Sequence, residues 1–174
     1  LPGRPLAALL GLLLLLALAS PAAALCTRVM HEGRGYSLCE ALAGRDALRL
    51  WHADATGAVY GSFERLNAAL AAEGLRLGFA MNAGMYHADL SPVGLYVEDG
   101  RPLASLVTRD GPGNFGMLPN GVFCILPDRF AVVESRTFAA RPMPCRFATQ
   151  SGPMLVIDGR LHPRFLPGAT SRHI

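Results

Sequence analysis

The sequence predicts an α+β fold, a strand-rich mixed sheet with few helices. Short apolar segments recur between Gly, Pro and Asp-Gly turns, which is the punctuation of strands and hairpins. One stretch alone, around residues 62–74, joins helical periodicity to a start and a stop signal. The strands are not separated by regular helices, which argues against alternating βαβ units. At 174 residues the chain is long enough for one domain with a sizeable core.

The N-terminus reads as an export signal. Arg4 precedes the apolar run Leu6 to Leu18, and Ser20-Pro21-Ala22-Ala23-Ala24 closes it with an Ala-x-Ala pattern. Residues 1–24 are therefore expected to be a signal peptide, and residues 25–174 the mature domain, secreted or periplasmic. The apolar run is too short for a membrane span, so no span is expected once the signal is removed. Ala23, Ala24 and Leu25 before Cys26 fit a lipid-attachment signal poorly.

Cys26, Cys39, Cys124 and Cys145 all lie beyond the signal, which suits an oxidising compartment. Four cysteines allow three pairings; the local choice joins Cys26 to Cys39 and Cys124 to Cys145. No C-x-x-C occurs and the His residues do not cluster near Cys, which speaks against a zinc site. No cofactor is evident. All sixteen basic residues are Arg and the net charge is +3. The Arg residues are scattered and form no basic helix, so nucleic acid is not expected as a partner.

In chain order, Tyr36 to Cys39 and Leu48 to His52 are strand candidates, and Asp54-Ala55-Thr56-Gly57 is a turn before Val59-Tyr60. In the helix, Ser62 is the N-cap and Glu64 complements the dipole. Phe63, Leu66 and Leu70 form one face and Gly74 is the stop. Leu75, Leu77, Phe79 and Met81 then alternate with Arg76, Gly78 and Ala80, a strand periodicity that runs into Asn82-Ala83-Gly84-Met85-Tyr86. Val93 to Glu98 and Pro102 to Val107 flank an Asp99-Gly100 hairpin turn. A long polar loop follows from Thr108 to Asn120. Gly121 to Leu126 and Phe130 to Val133 are strands around Pro127-Asp128. Phe147 leads to a polar turn, Thr149-Gln150-Ser151-Gly152, placed before an apolar buried strand, Met154 to Ile157. Asp158-Gly159 returns that strand to Arg160 to His162.

Gly111-Pro112-Gly113-Asn114-Phe115-Gly116 has the G-x-G-x-x-G spacing. Pro119 is expected to stop any helix from opening there, and without one a pyrophosphate has no dipole to sit on. There is no G-x-S-x-G, H-E-x-x-H or Walker motif. What remains is three polar segments at strand ends: Asn82 to Tyr86, Thr108 to Asn120, and Thr149 to Gly152. If they meet, they make a pocket of amides, hydroxyls and an Arg, suited to a sugar or a phosphate ester. Asp110 beside Arg109 sits in a long loop, where function concentrates; its plain alternative is a solvated ion pair. The plain alternative for Asn82 and Asn120 is an ordinary turn. His31, His52, His87 and His162 take surface or packing roles, and Met81, Met85, Met117 and Met154 are expected in or near the core.

The blocks Phe79 to Tyr86 (FAMNAGMY), Ser91 to Gly100 (SPVGLYVEDG), Gly113 to Phe115 (GNF), Pro119 to Val122 (PNGV), Ala148 to Val156 (ATQSGPMLV) and Ser171-Arg172 resemble the phosphodiester glycosidase family. Its members include the enzyme that removes N-acetylglucosamine from phosphodiester-linked mannose, and bacterial relatives. The resemblance implies an α+β fold and hydrolysis of a sugar-1-phosphodiester, with a carbohydrate or glycosyl-phosphate as substrate. Asn82 to Tyr86 is similar to the family's Asn-Gly-Gly-Tyr-Phe block, with Ala83 and Met85 as departures. Ser151-Gly152 matches its Ser-Gly, and Arg172 matches the Arg of its Arg-Thr-Ala-Ile-Gly block, with His173 where Thr is usual. The resembling blocks thus imply substrate-binding roles for Asn82, Gly84, Asn120, Gln150, Ser151, Gly152 and Arg172; Arg109 joins them, and Asp110 is the catalytic candidate, from their place in the long polar loop alone. The family pattern continues beyond the point where this chain stops, so the domain is expected to be incomplete at its C-terminus. The alternatives are a non-catalytic envelope or exopolysaccharide-associated carbohydrate-binding protein, and an inactive fragment.

Overall fold

Residues 25–165 are described by a computed structural model. The expected signal peptide, the C-terminal boundary and Arg172 lie outside the described residues.

The described chain begins with a hairpin, β1 (Leu25–His31) and β2 (Arg34–Glu40), paired in antiparallel register from Leu25↔Glu40 to His31↔Arg34. Glu32 and Gly33 both have positive φ, 48° and 75°, the conformation that matches a two-residue turn to strand twist. Cys26 faces Cys39 across the pair and is disulfide-bonded to it. The sequence reading saw only the second strand. Thr27 and Arg28 together break the alternation that identifies the first.

Helix α1 (Phe63–Ala72) forms as expected. The Ser62 side chain accepts the Arg65 N–H at 3.2 Å, Leu66 and Leu70 are buried, and Gly74 ends the turn at φ 73°. The predicted strands over 48–52 and 75–81 do not form. Residues 52–60 make a tight turn instead, with one bridge between Ala53 and Val59. There Asp54 Oδ1 accepts from the Thr56 N–H, the Thr56 hydroxyl and the Ala58 N–H. Leu77 N–H finds Asn67 Oδ1 at 3.3 Å rather than a neighbouring strand. An alternating pattern needs a partner edge to become a strand, and among the described residues this one has none. Met81, expected near the core, is accordingly 73% exposed.

The centre of the molecule is a five-stranded sheet in which every pairing is antiparallel, in the order β4-β3-β7-β5-β6. The strands are β3 (Tyr96–Glu98), β4 (Arg101–Ala104), β5 (Gly121–Ile125), β6 (Phe130–Glu134) and β7 (Phe147–Ser151). Alternation along β5 and β7 sends Val122, Cys124 and Ala148 to one face, where they pack with Leu95, Phe138 and Cys145. Ile125 and Phe147 go to the other face, with Leu50 and Tyr96. Contrary to the expectation from Pro119, a one-turn helix α2 (Gly113–Gly116) opens inside the 108–120 loop; it ends before the proline, whose ring therefore does not interrupt it. Helix α3 (Ser135–Ala140) follows β6 directly. The disulfide Cys124–Cys145 joins β5 to the segment that enters β7.

The stretch from Thr149 to Gly152 is corrected by the structure. Thr149, Gln150 and Ser151 belong to β7, the middle strand, and are not a turn in front of a buried one. The apolar run after them forms only the short hairpin β8 (Val156–Ile157) and β9 (Arg160–Leu161), where Leu155 is 65% and Leu161 74% exposed. Hydrophobicity pointed to the wrong half of the stretch. The polar half is buried because hydrogen bonds compensate it.

Candidate functional site

The three polar segments meet around the end of β7. Alternation splits its two buried polar side chains between the faces, Thr149 toward the side of Tyr96 and Phe123, Gln150 toward the side of Val122. Gly84 lies against Thr149 Oγ1, and a β-carbon there would also sit 3.2 Å from the Gln150 carbonyl oxygen. Gly152 lies against the second segment. A β-carbon there would come within 2.7 Å of Asn120 Cβ and 3.0 Å of the Phe115 carbonyl oxygen. Glycine at these two positions lets the loops press onto the strand.

Under this junction is a buried amide network. Gln150 is 1% exposed and Asn120 and Ser135 are 0%. Gln150 Oε1 accepts the N–H groups of Leu95 (3.1 Å) and Val107 (3.0 Å). Its Nε2 donates to the Val107 carbonyl, to Ser135 Oγ at 2.9 Å and to Asn120 Oδ1 at 3.3 Å. Asn120 Nδ2 donates to the Phe115 carbonyl at 2.9 Å, and Ser135 Oγ donates to the Asn120 carbonyl at 3.1 Å. Two acceptor positions and two N–H donors are all a glutamine amide has, so Gln150 is saturated within the protein. Asn120 and Gln150 thus lie beneath the junction and present no polar atom to solvent.

Other expected site residues lie at the surface. Asn82, Arg109, Asp110 and Ser151 are exposed, and Gly84 and Gly152 are partly buried. Asp110 Oδ1 accepts the Gly111 N–H at 3.0 Å. The loop that carries Arg109 and Asp110 is held on both sides of Thr108: Val107 is bound to Gln150, and the Thr108 carbonyl accepts from Arg136 Nε at 3.2 Å. After Asn82 the chain closes a small loop in which Asp89 Oδ1 accepts the Ser91 hydroxyl at 2.6 Å, which holds the Asp89 carboxyl below its ordinary range.

Ser135 was not singled out from sequence. The signal available was Glu134 before it. Burial raises the Glu134 carboxyl, but the N–H groups of Arg136 and Thr137 that it caps lower it further, and the net direction is down.

Two clefts lie away from this junction. One, about 460 Å³, is a groove along α1 lined by Phe63, Leu77 and Ala80 together with Glu64, Asn67 and Arg76. The other, about 410 Å³, lies between the 52–57 turn and the β3–β4 hairpin, beside Glu98. Glu98 Oε2 there accepts the His52 N–H at 3.1 Å and the Tyr96 hydroxyl at 3.0 Å. Burial, and then the Glu98 charge, push the Tyr96 phenol upward, so it stays a donor. The His52 bond fastens the 52–57 turn to β3, and the Tyr96 bond, within β3, holds the Glu98 carboxylate in place for it. The convergence of the glycine-bearing polar segments, and not cleft size, places the candidate site at the end of β7.

Among the described residues no helix is long and apolar enough to cross a membrane, and no three His, Cys, Asp or Glu side chains are grouped as metal ligands. Both disulfides are compatible with an oxidising compartment.

No solved structure matches the chain. Among curated proteins, "Uncharacterized protein YigE" of Escherichia coli (strain K12) is 33% identical over 129 residues, which is 74% of this chain and 50% of that protein. The chain therefore spans about half the length of that relative. The phosphodiester glycosidase profile matches residues 76–174, which takes in Gly84, the Arg109–Asp110 loop, Asn120 and the whole of β7. By that match, the chain belongs to the phosphodiester glycosidase family.

Proposed function

We propose that this chain carries the sugar-1-phosphodiester site of an exported hydrolase. The supporting observation is the meeting of Gly84, Gly152 and Asn120 around β7, which gathers the family's polar blocks at one place. Water or a protein carboxylate attacks the anomeric carbon, the C–O bond to phosphate breaks, and a phosphate monoester leaves with the electron pair. Phosphate is a good leaving group, so acid assistance matters less here than in ordinary glycoside cleavage. The greater demand is to hold phosphate charge and to orient the sugar. Arg172 takes the phosphate in bidentate geometry, with Arg109 as a second cation. The exposed Asn82 and Ser151 face the sugar hydroxyls or phosphate oxygens. Asp110 is the acid or base. Asn120 and Gln150 act from beneath, by fixing the loops.

One observation favours a second reading. The three polar segments contain a single carboxylate, Asp110, which also suits a non-catalytic protein that binds envelope or exopolysaccharide saccharide. Turnover separates the two. In the full-length exported protein, Arg172→Ala and Asp110→Asn are each expected to reduce sugar release from a synthetic sugar-1-phosphodiester at least about 100-fold, the scale of losing a positioned or charge-stabilising group. Near-normal rates in both variants would sink the site assignment. Saccharide binding without any sugar release by the wild type would favour the second reading.

A further inference from the structure

We infer that Gln150 is a positioning residue for the Arg109–Asp110 loop, and that its side chain does there what a neighbouring strand does elsewhere. Val107 lies just beyond β4, where the chain has left the sheet. Its N–H and its C=O both bond to the one Gln150 amide, as a peptide group in a ladder would bond them. The same Oε1 receives the Leu95 N–H, while the Gln150 backbone N–H donates to the Leu95 carbonyl at 2.8 Å. One residue of the middle strand therefore fixes both β3 and the loop after β4. Arg109 and Asp110 follow Val107 by two and three residues, at most about 7 and about 11 Å of extended chain. An anchor so close sets where they can reach. Gly94 supports this assignment. A β-carbon there would sit 2.5 Å from Gln150 Oε1 and would also collide with the Phe115 ring, so the chain is kept bare where the amide passes.

The loop-holding part of the inference stands on geometry, and the catalytic part rests on the function proposed above. The experiment reads both in the full chain. Gln150→Met keeps the length of the side chain and removes the amide. Loss of ordinary hydrogen bonds should speed exchange of the Val107 and Leu95 amide protons up to about tenfold, with β5 amides unchanged. Displacement of the loop should lower kcat by about 100-fold, and because Arg109 rides on the same loop KM should rise with it. Gln150→Glu retains the acceptors but loses the donor when ionised. Protonation returns an O–H for the Val107 carbonyl, so its turnover relative to wild type should recover as pH falls.

Faster exchange across the whole sheet with a lower Tm would reduce Gln150 to a core-stability role and overturn the inference. So would fast exchange at Val107 with unchanged kcat. If the wild type releases no sugar from any sugar-1-phosphodiester, the functional reading fails instead, and the exchange pattern still decides whether Gln150 holds the loop.

Discussion

At the residue scale, the junction depends on what two glycines lack. A methyl group at Gly152 would meet Asn120 Cβ at 2.7 Å and carbonyl oxygens at 3.0 and 3.2 Å. These neighbours are backbone or buried, so they have little room to yield. Gly152→Ala is expected to destabilise the protein by about 1–3 kcal/mol, the scale of overpacking, measured as a lower urea midpoint at constant m-value. An unchanged midpoint would mean that the loop is free to move off the strand. Gly84→Ala faces the Thr149 hydroxyl and should behave alike. These positions were legible in the sequence as Gly two residues after Asn82 and directly after Ser151, but their reason was not. Sequence suggested turn conformations, yet neither Gly84 nor Gly152 has positive φ. Their constraint is close approach to residues distant in the chain, Thr149 for Gly84 and Asn120 for Gly152, which no local pattern reports.

At the element scale, the sequence was most readable where the signals are local. The Ser62 cap and Gly74 stop located α1, and the Asp99-Gly100 turn located the β3–β4 hairpin. It failed where neighbours decide. Leu75 to Met81 has strand periodicity and no partner among the described residues, while β7 has polar residues and two partners. Helix α3 was missed because six residues are too few for a periodicity to show. Its start is nonetheless well built. Glu134 accepts the Arg136 N–H at 3.0 Å and the Thr137 N–H at 2.7 Å, and this delivers Ser135 to the amide network. The folded value of the Glu134 carboxyl lies below the ordinary 4.5. Its stabilising contribution is therefore fully present above pH 4.5 and is lost as pH falls through the lower folded value. Glu134→Gln should remove this part of the acid dependence and lower stability at neutral pH by about 1 kcal/mol, the scale of a helix cap. Urea titrations at neutral and acid pH test it; identical pH dependence in both proteins would count against the cap.

At the scale of the whole molecule, the two disulfides do different work. Cys124 is 0% and Cys145 7% exposed, and their bond closes 21 residues within the first core cluster. Replacing both by Ser should cost about 3 kcal/mol by the loop-entropy estimate, with a correspondingly lower thermal midpoint. Cys26–Cys39 joins two strands that pack on each other outside the five-stranded sheet. Removing it should loosen the hairpin and leave the melting of the sheet nearly unchanged. Equal losses from both double variants would show that the hairpin is part of the cooperative unit. The strand-rich α+β class and both local cysteine pairs were readable from composition and spacing. The order of the strands was not, because β7 inserts between β3 and β5 after β6 has been made, a choice set by long-range burial.

The β1–β2 hairpin also offers a place to build on. It is closed at one end by a covalent cross-link and at the other by the Glu32-Gly33 turn, and its residues are almost all exposed. Exposed tips of this kind accept inserted sequence. An affinity peptide or a fluorophore attachment site grafted between Glu32 and Gly33 would project from the molecule on a self-contained stalk. It would report capture or distance without touching the sheet that carries the amide network.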